Sequence, residues 1–364
     1  MVLRAQSIVD VAEPNRLLAA LCSHYAEHGA VSQTDDAARI VVSFGEAHFR
    51  LRDGRLHIEA ESVDETGLAY MKMGVTSHLR EFAPEPPLAV RWQGDGAVGV
   101  APPFFRAMQV RESRRLTPHM QRITLCGQDL ARFATGGLHV RLAFPPQGRA
   151  PVWPVMAEDG IPVWPQGDDQ FILRVYTIRS IDLAAQTVEI DMVVHPGVEA
   201  APGSDFALAA RPGDVVGMVG PGGGFLPECD DLLLLGDETA LPAIARILEA
   251  APPQTRATAY IEVDGPAEEQ ILSTRAQAQI TYLHRNGAEA GTTTLLADAL
   301  MAQTRDGISP QRYVWAAGEF SAFRAMRRHM RQTLAHPKDR HMVATYWRRG
   351  LAGDAARKGT REPD

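Results

Sequence analysis

Leu232-Leu233-Leu234-Leu235-Gly236-Asp237-Glu238-Thr239-Ala240-Leu241-Pro242-Ala243 joins two hydrophobic patterns. The four consecutive leucines leave no polar face, as in a strand buried on both sides, and Gly236 permits the tight turn that closes the run. From Ala240 to Leu248 the apolar residues return at helical spacing. A buried strand feeding a helix is the repeating unit of a parallel sheet covered by helices. The unit recurs: Thr258 to Val263 precedes Glu268 to Arg275, Ile280 to His284 precedes Thr293 to Ala302, and Tyr313 to Ala316 precedes Ala322 to Leu334. This order predicts an open doubly wound sheet with its ligands at the carboxyl ends of the strands.

Upstream the period changes. Ala107 to Arg111, Gln121 to Leu125, His139 to Phe144, Phe171 to Arg179, Val188 to His195 and Val215 to Gly220 are short and β-branched. With one helix-like interruption they predict a small antiparallel barrel. Gly94-Asp95-Gly96 through Pro102-Pro103 has linker composition. Before it, Pro14 to Glu27 and Thr66 to Phe82 read as helices, Arg39 to Phe44 and Glu46 to Glu61 as two or three strands, and Ala89 to Trp92 as a last strand after Pro84, Pro86 and Pro87. The expected fold class is multidomain α+β and α/β. A small α+β domain covers 1–100, an antiparallel β-barrel 104–225 and a doubly wound parallel-sheet domain with a C-terminal helix 226–350, followed by a tail over 351–364.

A chain of 364 residues exceeds one ordinary core, and 45% hydrophobic with 22% charged residues is a globular composition. The net charge of -7 argues against non-specific nucleic-acid binding, which needs clustered Lys and Arg. No run of about 18 apolar residues exists and Arg4, Asp10 and Glu13 interrupt the start, so no membrane insertion and a cytoplasmic location are expected. Cys22, Cys126 and Cys229 are too dispersed for a disulfide framework or a CxxC site. None of the 12 histidines shows HExxH spacing and no GxSxG turn occurs, so neither a metal centre nor a serine hydrolase is expected.

Arg174-Val175-Tyr176-Thr177-Ile178-Arg179 carries the most chemistry. Strand alternation puts Arg174, Tyr176 and Ile178 on one face and Val175, Thr177 and Arg179 on the other. A guanidinium suits a pyrophosphate, a phenol packs on a flat ring, and a hydroxyl or backbone N–H reaches a ring edge. Downstream, Gly236 to Ala240 is not a GxGxxG fingerprint, yet Thr239 and the following helix start offer donors to a phosphate or ribose. Glu262 and Asp264 suit ribose hydroxyls, whereas Arg285 suits a 2'-phosphate, which leaves NADH and NADPH both open. Gly220-Pro221-Gly222-Gly223-Gly224 reads either as a hinge between the two patterns or as a backbone able to approach a ligand closely, and Trp153 and Trp164 read as packing residues in a Pro-rich insertion.

These segments together resemble the siderophore-interacting protein family, flavoenzymes related in fold to the ferredoxin reductases. The resemblance covers Phe104 to about Gly350 and rests on four motifs in order. They are Arg174, Tyr176 and Thr177 in the RxYT strand, Gly236 to Ala243, Trp315-Ala316-Ala317-Gly318-Glu319, and Tyr346-Trp347-Arg348-Arg349-Gly350. The family's phosphate segment is matched by Val194-His195 and then Ala201-Pro202-Gly203-Ser204-Asp205-Phe206-Ala207, where Ser204 is expected as a helix N-cap. Asp205 and Phe206 depart from the family pattern there. Residues 1 to 100 resemble a small bacterial domain of uncharacterised function, through Ala60-Glu61-Ser62, Ser77 to Ala83 and Trp92.

The resemblance implies FAD and NADPH or NADH as cofactors, held by Arg174, Tyr176, Thr177, Ile178, His195, Ser204, Gly236, Asp237, Glu238, Thr239, Ala240, Gly318 and Glu319. It implies a ferric siderophore as electron acceptor, met by Arg141, Arg348 and Arg349. A nicotinamide gives two electrons while iron(III) takes one, and a flavin reconciles the two. No side chain has to act as general acid or base, so the expected site residues bind rather than catalyse. A non-enzymatic siderophore or haem carrier, and a reductase of a ferredoxin or of free flavin, stay open at this point.

Overall fold

The computed structural model describes residues 1–83, 85–195 and 201–351, so Pro84 and the expected tail beyond Leu351 lie outside the described residues. Two compact units are present. The first comprises Met1–Arg106 with Pro146–Phe171, the second Ala107–Pro145 with Ile172 onward.

In the first unit, strands β1 (Leu3–Asp10), β2 (Ala30–Gln33), β3 (Ala37–Val42), β4 (Gly45–Arg52), β5 (Arg55–Ser62) and β6 (Gln93–Gly94) form one sheet in the order β2-β3-β4-β5-β1-β6. Helices α1 (Pro14–Tyr25) and α2 (Glu65–Phe82) cover one face, joining Leu18, Leu21, Leu68 and Leu79 to Ala47, Phe49, Leu56 and Ile58. Asp64 caps α2 by accepting from the Gly67 N–H at 2.8 Å. β1 and β2 were not anticipated; β1 buries Ala5, Ser7 and Val9 and turns Arg4, Gln6, Ile8 and Asp10 outward. Ala89 to Trp92 is not a strand, although Leu88, Val90 and Trp92 are buried. The Trp92 N–H bonds to the Glu158 carbonyl at 2.9 Å and its indole N–H to Thr76 Oγ1 at 3.0 Å, so its partners come from the insertion and α2. Trp153 stacks on Phe171 at 5.4 Å, inside this unit.

The second unit opens with β7 (Phe105–Thr117), β8 (Met120–Cys126) and β9 (His139–Phe144). After the insertion, which carries the short hairpin β10 (Val155–Met156) and β11 (Pro162–Val163), come β12 (Ile172–Asp182), β13 (Thr187–Val193), helix α3 (Pro202–Ala209) and β14 (Val215–Gly222). The six long strands close into a barrel in the order β12-β13-β8-β7-β14-β9, as the alternating pattern predicted. Ile123, Leu142, Ile178, Ile190 and Met218 fill it.

β15 (Asp231–Gly236), β16 (Arg256–Val263), β17 (Gln277–His284), β18 (Tyr313–Glu319) and β19 (His341–Trp347) form a parallel sheet in the order β17-β16-β15-β18-β19. Helices α4 (Leu241–Ala250), α5 (Leu295–Gln303) and α6 (Phe320–Arg328) connect it. The order reverses between β15 and β18, which is the switch point where such sheets take ligands.

Two expectations fail in this domain. Glu268 to Arg275 is no helix: after a 3-10 turn at Pro266–Glu268 the Tyr282 hydroxyl clamps Gln270, accepting from its N–H at 3.1 Å and donating to its carbonyl at 2.6 Å. Tertiary hydrogen bonds there replace helical ones. Among the described residues the last element is β19 rather than a helix, since Val343, Thr345 and Trp347 are β-formers that pair along β18.

A charged chain binds the barrel wall to α4. Arg122 grips Asp191 in register across β8 and β13 at 2.5 and 2.7 Å, and Arg179 lies 3.9 Å from Asp191 while forking onto Glu249 at 2.6 and 2.9 Å. Asp191's side chain is 0% exposed. Removing Arg122 alone strands a buried carboxylate, for which a cost of roughly 3 kcal/mol is expected, the low end of such losses because Arg179 remains. Urea denaturation of Arg122→Met, compared with wild type at equal m-value, checks it.

Candidate functional site

Register places the expected flavin residues. β12 runs antiparallel to β9 with Arg174 opposite Leu142, Tyr176 opposite Val140 and Thr177 opposite His139. Arg174, Tyr176 and Ile178 therefore share the face of the barrel core, where Ile178 is fully buried and Tyr176 packs against its edge. Arg174 is half-buried, and among the described residues Nη1 spends its one hydrogen bond on the Leu173 carbonyl at 2.9 Å. Thr177 is buried on the opposite face beside His139.

Helix α3 lies against this strand at Gly203. A Cβ there would fall 1.7 Å from Tyr176 Oη, so only glycine lets the phenol reach the helix start. Burial pushes the Tyr176 phenol well above its ordinary range, which keeps the O–H. Ser204 is not the N-cap: α3 begins at Pro202, and the Ser204 hydroxyl accepts from the His195 N–H at 2.8 Å. Its role is to pin the end of the β13 segment, and His195 itself is exposed.

At the carboxyl ends of the parallel strands, Asp237 gathers four donors. Oδ1 accepts from the Thr239 N–H at 3.0 Å and hydroxyl at 2.5 Å, and Oδ2 accepts from the Glu319 N–H at 3.1 Å and the Trp347 indole N–H at 2.8 Å. Gly318 makes room, since a Cβ would meet Asp237 Oδ2 at 2.9 Å. Burial first, and then the neighbouring Glu238, raise the Asp237 carboxyl despite those donors. Thr239 thus turns inward instead of presenting its hydroxyl to a phosphate. Gly236 and Ala240 shape the turn between β15 and α4, with Ala240 fully buried.

Glu238 is the second acid of the turn, and its partner is Arg285. The guanidinium forks onto it at 2.9 and 2.6 Å, with Glu262 3.8 Å away and itself accepting from the Thr293 hydroxyl at 2.9 Å. The Arg285 side chain is 5% exposed. It is an internal counter-ion rather than a presented phosphate anchor.

Glu319 caps α6 through Ser321 and accepts from the Arg349 N–H at 3.1 Å. Sequence reasoning passed over Thr345, whose buried hydroxyl has no partner among the described residues and which pairs with Gly318 near the carboxyl ends of β18 and β19. Such an orphan donor at a strand end fits a nucleotide ligand. His139, also passed over, joins the barrel to β19. The Gly223 carbonyl 3.1 Å from Nδ1 can only accept, so that nitrogen carries a hydrogen, and Nε2 lies 2.7 Å from the Tyr346 hydroxyl, in hydrogen-bond contact with it.

The expected acceptor residues sit on two segments. Arg141 is exposed on β9, in register with exposed Val175 on β12 and with Val219 on β14. Arg348 follows β19 and lies over the Phe320 ring at 4.4 Å, while Arg349 reaches Glu289 at 3.1 Å. They leave a strand, not the end of a helix. A half-buried arginine beside an aromatic ring on one face of β12 fits the pyrophosphate and flat ring of FAD, and the carboxyl ends of the parallel strands are where such a sheet takes a nucleotide.

A closed six-stranded barrel followed by a doubly wound sheet, with these two donor sets, defines an oxidoreductase of the flavin- and nicotinamide-binding class. Residues 109–225 match the siderophore-interacting FAD-binding domain and residues 229–350 the siderophore-interacting protein domain. Residues 6–93 match a domain described as an uncharacterized protein conserved in bacteria. A siderophore utilization protein from T. fusca is 38% identical at a TM-score of 0.57, over 70% of this chain and 97% of that one. The siderophore-interacting protein SipS from Aeromonas hydrophila is 29% identical at a TM-score of 0.58, over 70% of this chain and 95% of its own. Ferric vibriobactin reductase ViuB of Vibrio cholerae is 29% identical over 256 residues, 69% of this chain and 92% of its own. The chain belongs to the siderophore-interacting protein family.

Two outcomes follow from this geometry. Gly203→Ala drives Tyr176 from its seat, and the purified variant is expected to retain a smaller share of FAD than wild type, read from the ratio of flavin to protein absorbance. Asp237→Asn turns an amide NH2 toward the Glu319 and Trp347 N–H groups or, flipped, toward the Thr239 N–H, so at least one N–H donor loses its acceptor. A loss of at least about 1–3 kcal/mol is expected, measured by denaturation with Trp fluorescence as the probe.

Proposed function

We propose that this protein is an FAD-dependent reductase that takes electrons from NAD(P)H and delivers them to a ferric siderophore in the cytoplasm, releasing iron(II). The observation that carries the reading is the juxtaposition of the RxYT strand with the carboxyl ends of the parallel sheet, closed by the His139–Tyr346 hydrogen bond. The name of the Vibrio relative, a ferric vibriobactin reductase, supports the acceptor. No helix among the described residues is long and apolar enough to cross a membrane.

FAD, when bound, accepts a hydride and gives up electrons one at a time. The protein's part is placement. Arg174 offers its fork to the pyrophosphate, Tyr176 its ring face to the flavin, and Thr177 and the Ile178 backbone reach the flavin edge. Ser204 and His195 shape the segment that borders the phosphates. Asp237, Glu238, Thr239, Ala240 and Gly236 form the floor of the nucleotide site, and Gly318, Glu319 and Thr345 line its side. With Arg285 committed to Glu238, a 2'-phosphate gains no guanidinium from it, which favours NADH as donor.

Iron(II) is softer than iron(III) and more weakly held by oxygen ligands, so reduction promotes release. Ferric catecholates are anionic while this chain carries -7, so the acceptor needs a local positive funnel. Arg141, Arg348 and Arg349 supply it.

Purified protein is expected to be yellow and to bleach under anaerobic titration, at lower concentrations of NADH than of NADPH. Arg174→Ala with Tyr176→Ala is expected to lose FAD; a colourless wild type that ignores added FAD overturns the reading. Arg348→Ala with Arg349→Ala is expected to raise the KM for an anionic ferric siderophore and flatten its salt dependence, with flavin reduction by nucleotide unchanged. An unchanged KM with normal flavin reduction removes the acceptor from that segment, and faster turnover with a ferredoxin than with the siderophore reassigns the partner.

A further inference from the structure

The sheet of the first unit has a second face. α1 and α2 pack on one side; on the other, Arg39 of β3, Glu46, His48 and Arg50 of β4, His57, Glu59 and Glu61 of β5 and Arg4 of β1 alternate with buried residues. Glu46 and Glu61 stand directly opposite one another across β4 and β5. His48 follows Glu46 by two residues and so shares its face, with Nε2 3.1 Å from Glu46 Oε1. One ligand atom from each of Glu46, His48 and Glu61 falls within 4.8 Å of the others.

Like charges placed directly opposite in an antiparallel pair repel, so this arrangement calls for a cation. Arg39 reaches Glu46 and Arg4 reaches Glu61 from the flanking strands, the latter at 3.1 Å. Those two arginines are 52% and 60% exposed, against 25%, 28% and 16% for Glu46, His48 and Glu61. The donors form the floor and the guanidiniums the rim. The hydrogen bond from His48, then Arg39, hold the Glu46 carboxyl below its ordinary range against the opposing effect of burial. Two carboxylate oxygens and one imidazole nitrogen form a borderline donor set, too poor in oxygen for calcium and without the sulfur that copper(I) prefers.

We propose that Glu46, His48 and Glu61 form a binding site for one divalent first-row transition-metal ion of the manganese-to-zinc group on the open sheet face of the first unit. The ion takes His48 Nε2, moving the ring hydrogen to Nδ1, and one oxygen from each carboxylate. Arg39 and Arg4 swing out, and water completes the shell. Glu59, opposite His48 on the same face, adds negative charge beside it. The inference stands on this unit alone and needs no reductase activity.

Full-length, flavin-loaded protein stripped of divalent ions with a chelator and titrated calorimetrically with zinc chloride and with manganese chloride tests the site. Glu46→Gln with Glu61→Gln is expected to remove one equivalent of binding or weaken it by roughly 10- to 100-fold or more. His78→Ala, on α2 with Nδ1 2.8 Å from the Tyr25 hydroxyl of α1 and so on the helix-covered side of the sheet, is expected to leave that equivalent unchanged. Arg39→Ala is expected to tighten binding, because it removes the competing cation; a role confined to the ion pair predicts no change. Identical stoichiometry and affinity in the carboxamide variant and in Arg39→Ala overturn the proposal. If the carboxamide variant does not fold, by far-UV circular dichroism, Arg39→Ala decides alone: tighter binding supports the site and unchanged binding overturns it.

Discussion

One carboxylate holds the nucleotide end of this molecule together. Asp237 immediately follows β15, and it draws in the N–H and hydroxyl of Thr239, the N–H of Glu319 at the end of β18 and the indole of Trp347 at the end of β19. A buried carboxylate must be met by donors or expelled, so the three strand ends can only close around it together. Gly318 is the steric condition, because a Cβ there would press within 2.9 Å of Oδ2. The aromatic pair of β19 then divides its work: Trp347 turns to Asp237, and Tyr346 turns to His139 on the barrel.

The barrel meets the sheet through groups of the same kind. Arg179 runs from Asp191 on the wall to Glu249 on α4, Arg246 of α4 donates to the Ile178 carbonyl at 3.0 Å, and the buried Glu268 accepts from Thr117 and from the His119 N–H. These are polar contacts in a setting of low exposure, where directional bonds specify one relative placement better than apolar contact does. Placement is what an electron-transfer site requires, since no proton has to be carried by a side chain at a stated moment. The same economy explains why Arg285 and Ser204, which look like ligand contacts in the sequence, serve as internal braces instead.

Much of this architecture was legible in the one-dimensional pattern. The six barrel strands, the parallel strands through β18 and helices α1, α2 and α4 follow from period and punctuation, and the RxYT strand lies where alternation puts it. The failures share a cause. Glu268 to Arg275 has helical spacing, but the Tyr282 hydroxyl offers Gln270 partners that a helix would have supplied. Ala89 to Trp92 has strand alternation, but the insertion takes its hydrogen bonds. In each, a partner distant in sequence outbids the local preference. On the N-terminal sheet a Glu-x-His on one strand was visible, but its third member, Glu61, arrives only with the β4–β5 register.

The sequence by itself determined the periods, the turns and the chemical kinds of side chain available, because these depend on neighbours a few residues apart. That was enough for a closed barrel followed by a parallel sheet, and to single out Arg174 to Thr177 and the turn at Gly236 as candidate ligand-binding segments. Only the tertiary structure decided which polar groups remain free for a ligand. Arg285, Thr239 and Ser204 are spent on Glu238, Asp237 and the His195 N–H, while the Thr345 hydroxyl is left without a partner among the described residues. The reason is that hydrogen-bonding capacity is finite and is allotted among groups brought together from across the chain, so a residue's type announces what it can bind and its fold neighbours settle what it does bind.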